Sequence, residues 1–98
     1  MKTYVIYVTT GREAKVYREL KKRGFKAILP EETETGKNGK PYKKVVFPNY
    51  VFLRCEMTDK IYCEIRSMRN VKYFLGFYGG GVGYLREDEE RYIEEYVQ

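Results

Sequence analysis

Ninety-eight residues set the size of one small domain, which buries roughly two-thirds of the surface its unfolded chain exposes. With 34% charged residues beside 43% hydrophobic ones and sixteen Tyr and Phe, the composition excludes a disordered segment, and no apolar run approaches the roughly 20 residues of a membrane span. The net charge of +5 is unevenly divided: residues 1–85 carry seventeen Lys and Arg against eight acids, and residues 86–98 carry two against six.

A basic body suits a polyanion or an acidic protein surface. The chain has two cysteines, Cys55 and Cys63, and no histidine. Neither a zinc site nor a Cys–His nucleophile can be assembled from these, and the acids gather on one helix rather than pairing across a cleft. No enzyme and no cofactor is therefore expected. Met1-Lys2-Thr3-Tyr4 leads straight into a strand pattern without a signal-peptide layout, so a cytoplasmic protein is expected; no membrane partner is expected, and the chain is expected to be a monomer.

In chain order, Tyr4-Val5-Ile6-Tyr7-Val8 is the first strand, with Val5 and Tyr7 on one face and Tyr4, Ile6 and Val8 on the other. Thr10 followed by Glu13 has the capping-box pattern, and Val16, Tyr17 and Leu20 recur at helical spacing, which predicts a helix over 11–23. Its exposed face carries the basic stripe Arg12, Lys15, Arg18, Lys22 and Arg23, and Lys26 follows in the second strand, 25–29, which Pro30 ends. Asn38-Gly39 predicts a polar hairpin that projects from the body, with Glu34 facing Lys43 and Thr35 facing Tyr42 if these two residues form the turn.

Phe47-Pro48-Asn49-Tyr50-Val51-Phe52-Leu53 is the most apolar stretch. Pro48 gives up a backbone donor and belongs at a strand entrance; the unbroken apolar run after it reads as a central strand covered on both faces. Thr58 caps a second helix that carries Ile61, Tyr62, Ile65 and Met68, and 71–75 forms the last strand, which Gly76 breaks. Gly79-Gly80-Gly81 lacks the lysine and serine of a nucleotide loop and reads as a flexible connection. The last helix covers 86–97, with Ile93, Tyr96 and Val97 on a narrow apolar stripe. The whole is an α+β fold around a mainly antiparallel sheet, with helices on both faces and a projecting β-hairpin.

Thr3-Tyr4-Val5-Ile6-Tyr7, Thr10-Gly11-Arg12-Glu13, the Phe47–Phe52 element, Ile65-Arg66-Ser67-Met68-Arg69-Asn70-Val71 and Phe74-Leu75-Gly76 follow one another in a pattern that resembles the N-terminal domain of NusG-family transcription elongation factors. The resemblance spans residues 1–98 and implies a four-stranded antiparallel sheet with flanking helices. It also implies docking on the clamp helices of the largest subunit of bacterial RNA polymerase, a bridge to the second-largest subunit, and processive, termination-resistant elongation. Tyr7, Phe47, Pro48, Tyr50 and Phe52 match the family's aromatic and proline docking positions, with core packing the competing role for Phe47 and Phe52.

Some members also touch non-template DNA. Ser67 and Met68 lie at that position, and Met68 supplies no hydroxyl. The second functional expectation is direct binding of an RNA hairpin or non-template DNA by Arg12, Lys15, Arg18, Lys22, Arg23, Lys26, Arg66 and Ser67. Thr3 stands where the family usually has tryptophan, Asn49 where glycine is commoner, and Arg12-Glu13 where an aromatic often precedes the acid. These departures resemble specialised paralogues of the RfaH or LoaP kind that act on selected operons, with LoaP-like preferred because Ile61-Tyr62-Cys63 replaces the His-Thr-Thr element of RfaH. The family's C-terminal KOW barrel is expected to be missing from this chain, as in a truncated or short form.

Overall fold

The computed structural model describes residues 2–75, 77–78 and 81–96, with side chains at 77–78 and 81–82 left out of account. Gly76, the Gly79-Gly80 pair and Val97, which the sequence assigns to a strand end, a loop and a helix stripe, lie outside the described residues. The elements run β1 (Lys2–Val8), α1 (Glu13–Lys22), β2 (Lys26–Ile28), β3 (Glu31–Thr35), β4 (Pro41–Val45), β5 (Tyr50–Cys55), α2 (Asp59–Arg66), β6 (Val71–Phe74), β7 (Phe77–Tyr78), β8 (Gly81–Val82) and α3 (Glu87–Glu94).

A four-stranded antiparallel sheet in the order β2-β5-β1-β6 forms the body, so the α+β expectation holds. Alternation along the strands divides its side chains between two faces. Tyr4, Ile6, Val8, Val51, Leu53, Cys55, Ala27 and Phe74 pack with Val16 and Leu20 of α1 and Ile65 and Met68 of α2. On the other face, Ile28 and Phe52 pack with Ile93 of α3, and Val5, Phe47, Leu85 and Tyr96 complete that smaller cluster. β5 is covered on both sides because Val51 and Leu53 serve one core and Phe52 the other. Its run therefore shows no polar alternation.

α2 starts as the sequence predicts: Thr58 Oγ accepts from the Ile61 N–H at 3.1 Å. α1 does not. Its N-cap is Arg12, without a side-chain cap, and Thr10 and Glu13 both turn toward Asn49 instead. α3 runs over Glu87–Glu94, shorter than 86–97, and the Glu89 carboxylate accepts from the Arg86 N–H at 3.0 Å.

The hairpin is a separate two-stranded sheet, β3–β4, and its register differs by one residue from the expected one. Thr33 pairs with Lys43, Glu34 with Tyr42 and Thr35 with Pro41. The cause is at the tip. Gly36 N–H donates to Lys40 O, Gly39 N–H donates to Gly36 O, and Gly39 takes φ +78°. The turn therefore spans 36–39 and ends in a left-handed glycine, where a two-residue turn centred on Asn38-Gly39 would need both residues left-handed. β7 and β8 pair antiparallel in the stretch that the sequence reads as a connection.

Candidate polymerase-docking and nucleic-acid surfaces

Among the described residues, the second face of the sheet is packed at one end and not at the other. Thr3, Val5 and Tyr7 of β1 stand opposite Arg54, Phe52 and Tyr50 of β5. At the α3 end, Thr3 is fully buried and its Oγ accepts from Arg54 Nε at 3.2 Å, while the same guanidinium pairs with Glu94 of α3. Further along, Val5 and Phe52 lie under α3. Tyr7, Tyr50 and Tyr73 belong to neither packing cluster.

These three tyrosines form a row across β5, β1 and β6. Tyr7 stacks on Tyr73 with ring centroids 4.9 Å apart and planes 7° from parallel, and meets Tyr50 edge-on at 5.7 Å. Tyr73 is 46% exposed. Such aromatic pairs favour defined mutual orientations, so the row is a preorganised aromatic surface. β6 shifts register beside it, Tyr7 facing Tyr73 while Val8 faces Val71. The extra residue, Lys72, is a bulge next to the row.

The turn before β5 abuts this surface. Tyr50 N–H donates to Phe47 O at 3.2 Å, Pro48 occupies the second position and Asn49 the third with φ +74°. That is the arrangement of a type II turn, whose third position accepts glycine or asparagine. Pro48 is exposed, Phe47 half-buried against Phe52 at 5.6 Å, and Phe52 6% exposed. Of the five expected docking residues, Tyr7, Pro48 and Tyr50 reach the surface together, whereas Phe52 is core and Phe47 bridges core and turn. Tyr73 completes the row and was missed by the motif, although period two in β6 sets it opposite the buried Phe74.

The basic residues divide among three places. Arg12, Lys15, Arg18 and Lys22 are exposed on α1. Arg23 is tied to Glu19 at 3.0 Å and Glu64 at 3.3 Å, contacts that raise its pKa, the Glu19 hydrogen bond most of all. Lys26 is on the sheet face of Ile28 and, at the β2 edge, lines a depression of about 760 Å³ with Tyr17 and Lys21 of α1 and Tyr96. At the end of α2, Arg66 and Ser67 are exposed, with Ser67 Oγ donating to Glu64 O at 2.7 Å, and Met68 is buried. Lys15, Arg23 and Arg69 line one depression of about 260 Å³ between α1 and the α2–β6 turn, which adds Arg69 to the basic set.

Burial raises the pKa of the Cys55 thiol, and Cys63 is exposed; neither is bonded to the other. Among the described residues, no cluster of His, Cys, Asp and Glu could hold a metal ion, and no helix is long and apolar enough to cross a membrane.

A sequence model of the family described as "Transcription termination factor nusG" matches residues 1–93. The transcription termination/antitermination protein NusG of Bacillus subtilis (strain 168) is 39% identical over 90 residues, covering 80% of this chain and 51% of that protein. Its namesake in Staphylococcus carnosus (strain TM300) is 36% identical over 104 residues, covering 92% of this chain and 57% of that protein. Among solved structures, one titled "Domain interaction in Thermotoga maritima NusG" superposes with a TM-score of 0.72 at 25% identity, covering 98% of this chain and 56% of its own. The chain thus spans about half the length of these relatives.

Proposed function

The chain belongs to the NusG family of transcription factors, and from that premise we propose that it is a transcription termination/antitermination module that docks on bacterial RNA polymerase through its tyrosine row. The docking partner in this reading is the clamp-helix pair of the largest subunit, with a bridge to the second-largest, and the result is processive, termination-resistant elongation. The observation that carries it is the pairing of Tyr7, Tyr50 and Tyr73 as preorganised aromatic surface beside an exposed Pro48, outside both packing clusters of the described residues. Tyrosines contribute large contact area at low entropic cost and dominate many interfaces.

The test is binding of the domain to the isolated clamp-helix segment, with Tyr50→Ala beside the wild type and circular dichroism to report folding. Tyr50→Ala should stay folded and weaken binding by at least about tenfold, in the range of an interface hot spot. Unchanged affinity would end this reading.

A second surface is favoured by the exposure of Lys15, Arg18 and Lys22 without an ion pair among the described residues. With Arg12, Arg66, Ser67 and Arg69 it would meet an RNA hairpin or non-template DNA, on the side of the sheet opposite the tyrosine row. Both surfaces can be occupied at once. Such a two-sided module would suit recruitment to selected operons, a specialisation supported by the departures at Thr3, Arg12 and Asn49.

A further inference from the structure

Asn49 makes more contacts than a turn residue requires. Its carbonyl accepts from Val8 N–H at 2.8 Å, and its own N–H donates to Glu13 Oε2 at 2.9 Å. Its side-chain Nδ2 donates to Val8 O at 3.2 Å and Thr10 Oγ1 at 2.7 Å. Glu13, in the first turn of α1, is 7% exposed, and its carboxyl oxygen accepts from the Asn49 amide. A glycine would satisfy φ +74° equally well, but it would lose both Nδ2 bonds. On the other flank of the same loop, Thr9 N–H donates to Asn70 O at 2.9 Å, and Asn70 also has positive φ. The exit of β1 is thus stitched on one side to the proline turn and on the other to the α2–β6 turn.

We propose that Asn49 and Glu13 are positioning residues that lock the proline turn to the start of α1, so that Pro48 and Tyr50 are held in the orientation the polymerase meets. This rests on the docking function proposed for the tyrosine row. It makes the basic helix and the aromatic row one rigid unit: any displacement of α1 by a bound polyanion is transmitted through Glu13 to the turn. Pro48 and Tyr50 touch the partner; Asn49 and Glu13 act through them.

Four variants separate the outcomes: Asn49→Gly, Glu13→Ala, Glu13→Gln and Tyr50→Ala. Each is measured for affinity to the clamp-helix segment and for hydrogen exchange at the Asn49 and Tyr50 amides. Asn49→Gly and Glu13→Ala should each weaken affinity roughly tenfold, as expected for one or two lost hydrogen bonds, and should speed exchange at both amides. Glu13→Gln, which keeps an acceptor for the Asn49 N–H, should restore most of both. A uniform loss of packing would not be rescued in this way. If Tyr50→Ala loses binding while Asn49→Gly binds and exchanges like the wild type, the positioning role is wrong and the docking surface stands. If Tyr50→Ala binds normally, the docking function falls, and this inference with it. An Asn49→Gly chain that fails to fold would make Asn49 a residue of the fold rather than of the surface, which also overturns the proposal.

Discussion

Phe52 and Tyr73 lie on the same face of one sheet, yet the cover above them differs and so do the consequences of removing them. Phe52 is packed against Ile28 and Ile93, so Phe52→Ala should cost about 3–5 kcal/mol of stability through lost transfer energy and a cavity under α3. Tyr73 is nearly half exposed and stacked on Tyr7, so Tyr73→Ala should cost about 1 kcal/mol or less, mostly the stacking. Binding to the clamp-helix segment should move the other way, weakened several-fold by Tyr73→Ala. Chemical denaturation and a binding titration of both variants check the pair; a Tyr73→Ala chain that binds normally would remove Tyr73 from the surface. The sequence ranked Phe52 with the docking residues because aromatic identity does not say which cluster a ring enters. The motif does not reach Tyr73, whose place beside Tyr7 comes from the β1–β6 register. Thr10 and Glu13 show the same limit. Their spacing has a local meaning, a capping box, but both side chains are spent on Asn49, more than thirty residues away.

At the scale of elements, the body and the arm are stabilised by different means. The four-stranded sheet has two packed faces, and its strands were legible because apolar runs between Gly and Pro punctuation are long-range demands written locally. The β3–β4 arm has no core of its own. Val46 N–H donates to Pro30 O at its base and Tyr96 OH to Glu32, while Glu34 takes the Tyr42 hydroxyl at 2.9 Å and Lys44 at 3.6 Å. Its existence was legible from Asn38-Gly39; its register was not, because the same dipeptide fits two turns and no buried face breaks the tie. Gly39 needs left-handed backbone, where a side chain costs roughly 1–2 kcal/mol. Gly39→Ala should therefore accelerate hydrogen exchange along 31–45 and leave the amides of β5 as protected as before. Equal loosening of both would mean that the arm and the body fold as one unit.

For the whole molecule, the useful property is the separation of charge by sheet face. α1 and the end of α2 put Arg12, Lys15, Arg18, Lys22, Arg66 and Arg69 on one side; α3, with acids at 87–90 and 94–95, covers part of the other. In the proposed reading this separation would draw an RNA or DNA strand to the α1–α2 side and away from α3 and the tyrosine row. The logarithm of the affinity for a nucleic acid should fall linearly against log salt, with a slope of roughly 0.7–0.9 for each phosphate neutralised. Reversing Lys15, Arg18 and Lys22 to Glu together should lower that slope by about two to three, because three phosphate contacts are lost. The same triple variant should change affinity for the clamp-helix segment by less than about threefold, since none of the three lies on the tyrosine face. Titrations at several salt concentrations with an RNA hairpin, and at one concentration with the clamp segment, separate the two effects. A triple variant that keeps the wild-type slope would reduce the helix stripe to a solvated face. One that loses both affinities would show that the two surfaces are a single site.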